Sequence, residues 1–276
     1  MAAYKEIERS IITRYRKSLW RKFTRAINEY DLIKEGDRIA VCISGGKDSM
    51  LLAKLMQEIH RHGQIKFDLE FLVMDPGYNE KNLEKIIENS KILNIPIKVY
   101  KSDIFEIVDE IEDSPCYLCA RMRRGYLYSK AQELGCNKIA LGHHFDDVIE
   151  TILLGMLYGS QIQTMMPKLR SKNFKGMELI RPMYLIKEED IIKWANFNNL
   201  SFIDCACKVT DIKSGNGGSK RDEMKALVAH LRSIDDSIDF HIFRSVENVN
   251  LETVIRYKKD GKVHHFLDEY DKIEEE

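Results

Sequence analysis

Residues 38 to 53 read Arg-Ile-Ala-Val-Cys-Ile-Ser-Gly-Gly-Lys-Asp-Ser-Met-Leu-Leu-Ala. The apolar run Ile39 to Ile43 reads as a buried strand, and Met50, Leu51, Leu52, Leu55, Met56 and Ile59 read as the apolar face of a helix. Between them lie Ser44, Gly45, Gly46, Lys47, Asp48 and Ser49. Strand, small-residue loop and helix start form the geometry of an anion site. The glycines let the backbone turn its N–H groups on a ligand, and the helix dipole adds about 0.3–1 kcal/mol of attraction. An ordinary βα turn also favours Gly and Ser. Six consecutive residues of these types at that boundary favour phosphate. The loop lacks the spacer of a Walker A and the spacing of G-x-G-x-x-G.

Further strands are read at Phe67–Met74, Ile97–Tyr100 and Asn137–Leu141, with helices over 80–93, from near Tyr117, and over 187–200 and 220–233. Strands alternating with helices imply an α/β fold with a doubly wound, mainly parallel sheet, Rossmann-like in outline. Ligands of such sheets sit at the carboxyl ends of the strands. Ser44, Asp75 and Gly142 all occupy such ends, so they are expected to converge. Residues 4–33 read as one helix, with Ile7, Ile11, Tyr15, Leu19, Phe23 and Ile27 every four residues. Lys259-Asp260-Gly261-Lys262 reads as a hairpin turn. The expected organisation is an N-terminal basic helix (1–34), a nucleotide-binding domain (35–210) and a C-terminal helical and hairpin extension (211–276).

At 276 residues with formal charge −1, net charge identifies no partner. Its distribution is uneven. Residues 1–30 carry eight Lys/Arg against three Glu, and Asp268 to Glu276 hold six acids and one Lys. No apolar run is long enough for a transmembrane helix, and the N-terminus lacks a signal-peptide core. A cytoplasmic protein is expected, so the six cysteines point to thiol, metal or redox chemistry rather than a disulfide framework.

Two further constellations carry chemistry. Gly142-His143-His144-Phe145-Asp146-Asp147-Val148-Ile149-Glu150-Thr151 follows the fourth strand. His143, Asp147 and Glu150 fall together on a helical start. A capped helix with acids in its first turn is common, and a zinc site from His143, His144 and the acids is conceivable without matching a usual spacing. Beside the nucleotide loop, nucleotide contact is preferred, with Asp146 or Asp147 on Mg²⁺. The third constellation is Cys116-Tyr117-Leu118-Cys119 with the distant Cys205-Ala206-Cys207. A redox dithiol, half a zinc site and unrelated buried thiols are the plain readings. Three thiolates can also hold an iron–sulfur cluster with one iron open. Cys42 and Cys136 read as core thiols.

The loop resembles the SGGxDS signature of the PP-loop ATP pyrophosphatases, which split ATP into AMP and pyrophosphate to adenylate a substrate. With Cys116 to Gly125, Gly142 to Thr151, Met166-Pro167-Lys168-Leu169 and Leu179-Ile180-Arg181-Pro182 in the same order, the chain resembles the tRNA 2-thiocytidine synthetase (TtcA) family. The match runs from the first strand to about Arg221.

The resemblance implies an adenine nucleotide alpha hydrolase type of fold, ATP and Mg²⁺, and a 4Fe-4S cluster on Cys116, Cys119 and Cys205, with Cys207 as the alternative. The family often has Cys-x-x-Cys after a Pro at the distal site, whereas Asp204 precedes Cys-Ala-Cys here. It implies a tRNA substrate in which the C2 oxygen of cytidine 32 is adenylated and then replaced by sulfur. A sulfur donor such as a cysteine desulfurase would be a partner, no membrane is involved, and a homodimer is admitted. Ser44, Gly45, Gly46, Lys47, Asp48, Ser49, Asp75, Gly142 and His143 are the expected cofactor contacts. Asp147 and Arg123 are expected near the reacting base with Cys116 and Cys119, and Arg121 and Arg124 against tRNA. Lys168, Arg170, Lys172, Lys175, Arg181 and Lys187 join the N-terminal helix as an expected RNA footprint. The rivals are a uridine 2-thiolase, a lysidine-type ligase and a non-catalytic ATP- or metal-binding regulator.

Overall fold

The computed structural model describes residues 3–105, 115–203 and 219–270. Cys205, Cys207 and the side chain of Cys116 lie outside them. The organising strand β1 (Arg38–Ile43) is buried along all but its first residue, as a strand covered on both faces must be. It pairs in parallel with β2 (Asp68–Asp75) on one side and β4 (Lys138–Ala140) on the other, with Val41 opposite both Phe71 and Ala140. The full order is β3-β2-β1-β4-β6-β5, with β3 Ile97–Lys101, β5 Lys168–Arg170 and β6 Glu178–Ile180. Only β5 runs antiparallel. The chain winds outward from β1 to β3 and returns to β4 beside β1, so the strand order reverses between β1 and β4. Crevices form at such reversals.

Alternation along β1 separates two helical layers. Ile39, Val41 and Ile43 face α3 (Lys47–His62) and the N-terminal helices. Ala40 and Cys42 face the layer of α5 (Pro115–Glu133), where Tyr128 and Ala131 pack on them. α4 (Glu80–Ile92) joins the first layer through Ile86, and α7 (Glu188–Phe197) joins it through Ile191 and Trp194. A second core gathers α6 (Phe145–Gly159), α8 (Lys220–Ile234) and α9 (Ile238–Ser245) around Phe145, Val228 and Phe243. The chain then forms the hairpin β7 (Arg256–Lys259) and β8 (Lys262–His265), followed by α10 (Leu267–Tyr270). No helix among the described residues is long and apolar enough to cross a membrane.

The N-terminal segment departs from the single helix expected. It is α1 (Ala3–Ile12), a π-helical turn (Arg16–Trp20) and α2 (Arg21–Glu29). An α-helix turns about 100° per residue, so a strict four-residue repeat drifts about 40° per step around it. The wider π turn offsets that drift, and Ile7, Ile11, Leu19, Phe23 and Ile27 all reach the core. The short strands β5 and β6 were not read from sequence, because three residues carry no usable period.

Candidate active site

β1 delivers Ser44 at its carboxyl end, and the backbone turns at Gly45 with φ +89°. A Cβ at Gly45 would also meet Ile86 at 2.5 Å, so the position is closed to side chains twice over. Ser49 sits in the first turn of α3 and cinches the loop. Its Oγ accepts from Ser44 N and from Ser44 Oγ, both at 3.2 Å, and donates to Gly46 O at 2.9 Å. β4 ends against this loop. A Cβ on Gly142 would stand 3.1 Å from the Asp48 carbonyl carbon and the Ser49 nitrogen. The bare glycine therefore lets the two strand ends touch.

Between them opens a cavity of about 400 Å³. Ser44, Asp48 and Ser49 form one wall, and Gly142, His143 and Asp147 another. Ala120, Arg123, Arg124 and Leu127 of α5 roof it, Cys42 and Met74 lie beneath, and Arg221 of α8 closes one side. The expected convergence of Ser44 and Gly142 holds. Asp75 is not in the wall. Its Oδ1 accepts from Gly77 N at 3.0 Å and Tyr78 N at 2.7 Å, shaping the turn after β2. Gly45, Gly46 and Lys47 also stand behind the wall. Lys47 Nζ lies 2.8 Å from Glu188 Oε1 at the start of α7 and 3.3 Å from Asp48.

The charges are arranged in layers. Asp147 has both oxygens engaged, Oδ2 by His144 N at 2.9 Å and Oδ1 by Arg221 at 2.6 Å. Arg221 Nε also holds buried Glu150 at 2.9 Å. Asp146 is turned away from the cavity. It accepts from Glu188 N at 2.7 Å and pairs with Arg232 at 2.7 Å, so of the two acids expected on Mg²⁺ only Asp147 lines the cavity. Asp48 Oδ1 is buried at the cavity edge without a hydrogen bond, although the Lys47 ammonium is near. Burial raises the Asp48 pKa against the lowering pull of His144 and Lys47. An orphaned carboxylate oxygen beside a phosphate loop fits a divalent cation.

His143 Nδ1 is buried without a hydrogen bond. Burial, then the Arg181 charge, pushes the ring down to about 4, so it is neutral at pH 7. Among the described residues no three His, Cys, Asp or Glu side chains group as a metal site, which removes the zinc reading of His143 and His144.

Positions 116 and 119 stand one turn apart near the start of α5. Cys119 is buried with Met74, Ile104 and Phe105, and Met74 also lines the cavity. α5 thus carries the Cys-x-x-Cys pair and the Arg123–Arg124 wall on the same carboxyl edge as the loop. Cys42 is more than a core thiol, since it lines the cavity. Burial pushes it up to about 12.

Sequence reasoning missed Arg221 and Glu188 as site residues. Arg221 lies in the first turn of a helix capped by Ser219 and Asp222, and nothing in that local pattern points to a residue 74 positions earlier. The expected RNA footprint at 168–187 is partly spent inside the protein. Lys168 donates to Asp31 O at 2.6 Å, Lys187 pairs with Asp239 at 2.7 Å, Arg170 lies 3.5 Å from Glu178, and Arg181 is buried. Lys172 and Lys175 remain exposed, and so does Arg170, whose side chain is 91% exposed despite its neighbour.

Residues 16–208 match the model of the PP-loop domain family. A tRNA-cytidine(32) 2-sulfurtransferase of Coxiella burnetii (strain Dugway 5J108-111) is 36% identical over 242 residues, covering 86% of this chain and 91% of its own. The same-named protein of Geobacter metallireducens is 35% identical over 239 residues with the same coverage. Among solved structures, the U34-tRNA thiolase NcsA from Methanococcus maripaludis with its [4Fe-4S] cluster superposes with a TM-score of 0.64. It is 21% identical and covers 85% of this chain and 80% of its own, a likeness of fold. With its serine-cinched loop and these relatives, the chain belongs to the tRNA-cytidine(32) 2-sulfurtransferase family of PP-loop proteins.

Proposed function

We infer that this protein is an ATP-dependent tRNA sulfurtransferase that converts cytidine 32 of a tRNA to 2-thiocytidine. The observation that carries the reading is one cavity walled by the phosphate loop, Asp147 and three arginines, roofed by the helix with the Cys-x-x-Cys pair. The C2 oxygen of cytosine is a poor leaving group. Attack of that oxygen on the α-phosphorus of ATP breaks the bond to the β,γ-diphosphate and expels pyrophosphate. A sulfur nucleophile then adds at C2, and the C2–O bond breaks to release AMP.

The loop N–H groups and the α3 N-terminus receive the departing pyrophosphate charge. Asp48, with its orphan oxygen, would hold Mg²⁺, which takes few carboxylates and several phosphate oxygens. Arg123 and Arg124 make no ion pair with any described residue, so both are available to phosphate or to the oxyanion at C2. Asp147 fixes Arg221 at the cavity side rather than standing as an unengaged base. Neutral His143 offers a ring nitrogen and adds no charge. Cys116, Cys119 and Cys205 (alternatively Cys207) would bind a 4Fe-4S cluster, whose chemistry supplies the sulfur-carrying centre when bound.

The test is anaerobic protein with unmodified tRNA, ATP, Mg²⁺ and a sulfide source, followed by nucleoside analysis. We expect 2-thiocytidine at position 32 with one AMP and one pyrophosphate per product. 2-Thiouridine instead would assign the uridine thiolase, and AMP formation without sulfur incorporation would assign a ligase-type reaction. No turnover of ATP at all would leave the regulator.

A further inference from the structure

The β7–β8 hairpin takes no part in the cavity, yet it is strongly cationic. Arg256, Lys258, Lys259 and Lys262, with His264 and His265, face one acid, Asp260, in a chain of net charge −1. The four Lys/Arg are exposed, and none pairs with any described residue. Register places Lys259 directly opposite Lys262. Like charges facing across a ladder destabilise it, and a lone two-stranded hairpin is marginal in water already. Among the described residues no hydrogen bond or ion pair ties 249–270 to the body of the protein. The hairpin holds its shape by a tight turn, with Asp260 at φ +50° and Gly261 at +77°, and by Tyr257 stacked on His264 at 4.8 Å and 12°. A repulsive rung on an unsupported ribbon is relieved by an anionic partner.

We propose that this hairpin is an arm that docks on the phosphate backbone of the tRNA outside the cavity. The proposal rests on the reading of the chain as a tRNA thiolase. Period-two alternation sets Arg256 and Lys258 on one face and Lys259 and Lys262 on the other. Cations on both faces suit a ribbon flanked by two phosphate strands, whereas an acidic protein surface would meet one face only. The hairpin also compensates for the 168–187 stretch, where Lys168, Arg181 and Lys187, three of the six cations, are engaged by the protein itself or buried.

The experiment uses the full-length protein and unmodified tRNA, with binding measured between 50 and 200 mM salt. Each lost phosphate contact removes about 0.7–0.9 from the log–log salt slope. The triple variant K258Q/K259Q/K262Q is therefore expected to show a slope shallower by about 2–3 and affinity near 0.1 M salt lower by about 10²-fold. K258R/K259R/K262R should bind like the parent, and ATP affinity should be unchanged in both. If the triple Gln variant loses its fold by circular dichroism, K259Q alone decides. It should flatten the slope by about 0.7–0.9 while raising Tm, because it removes the facing charge. An unchanged slope in a parent that binds tRNA overturns the arm and leaves the thiolase reading standing. A parent that does not bind tRNA ends both. Unchanged tRNA binding with altered sedimentation assigns the hairpin to a second copy of the chain, and equal losses in the Gln and Arg variants refute charge as the cause.

Discussion

Gly142 shows how narrow the tolerance of the site is. Its Cα faces the backbone of Asp48 and Ser49, so an added methyl meets main chain that cannot swing aside. Gly142→Ala should cost about 1–3 kcal/mol in urea unfolding and should displace the phosphate loop, seen as weaker ATP binding. Wild-type stability and affinity in that variant would mean the two strand ends do not touch.

His143 gives a pH signature. Burial and the Arg181 charge hold the ring's pKa at about 4 in the fold, against about 6.5 for an ordinary imidazole. Between those values the unfolded chain binds the proton and the folded chain does not, so stability rises with pH across that window and falls on acidification. From pH 6.5 to 5 the loss from this group is about 1.5 kcal/mol, because the unfolded ring is already half-protonated at the upper end. His143→Gln should flatten the parent's profile between pH 4 and 6.5 in chemical denaturation. A parallel profile in the two proteins would place the ring in water instead.

At the scale of elements, α8 is bolted to the start of α6 by two arginines. Arg221 grips Asp147 and Glu150, and Arg232 grips Asp146. Glu150 is 2% exposed, and burial raises its pKa even against the pull of Arg221. Removing one partner of a buried pair costs about 3–5 kcal/mol, discounted here because the Arg221 side chain is 46% exposed. Arg221→Ala should therefore destabilise by about 1–3 kcal/mol and lower turnover. Adding Glu150→Gln should restore much of the stability but not the turnover, since Asp147 still lacks its guanidinium. Recovery of both would reduce Arg221 to a structural tie.

These elements also mark what could be read in advance. The loop from Ser44 to Ser49 was legible because its residue types and its place between an apolar run and a helical period are local facts. Gly142, His143 and Asp147 were legible for the same reason. Arg221 and Glu188 were not, because their roles come from tertiary packing of α8 and α7 on α6. Asp75 was legible as a strand end but not as a turn former, since both uses place an acid after an apolar run. The N-terminal stripe was read correctly as buried and wrongly as unbroken, because spacing reports a face and not the π turn that keeps it aligned.

For the molecule as a whole, RNA affinity should depend on scattered cations rather than on net charge, which is −1. Six phosphate contacts would give a slope of log affinity against log salt of about −4, at about −0.7 each for single-stranded contacts. A slope near zero in filter binding would remove nucleic acid from the account. Fold class was legible because alternating strand and helix patterns leave few topologies. The exact sheet order needed the register of β4 against β1 and β6.

The cavity draws its walls from five separate stretches, and the last of them, Arg221, lies far downstream of the loop at Ser44 to Ser49. Translation adds about 5–20 residues per second, N-terminus first. A ribosome thus emits the loop roughly ten to thirty seconds before it emits the arginine that completes the enclosure. During that interval the nascent chain can gather its sheet but owns no finished chamber for nucleotide. Competence arrives late, only once the stretch carrying Arg221 has been made.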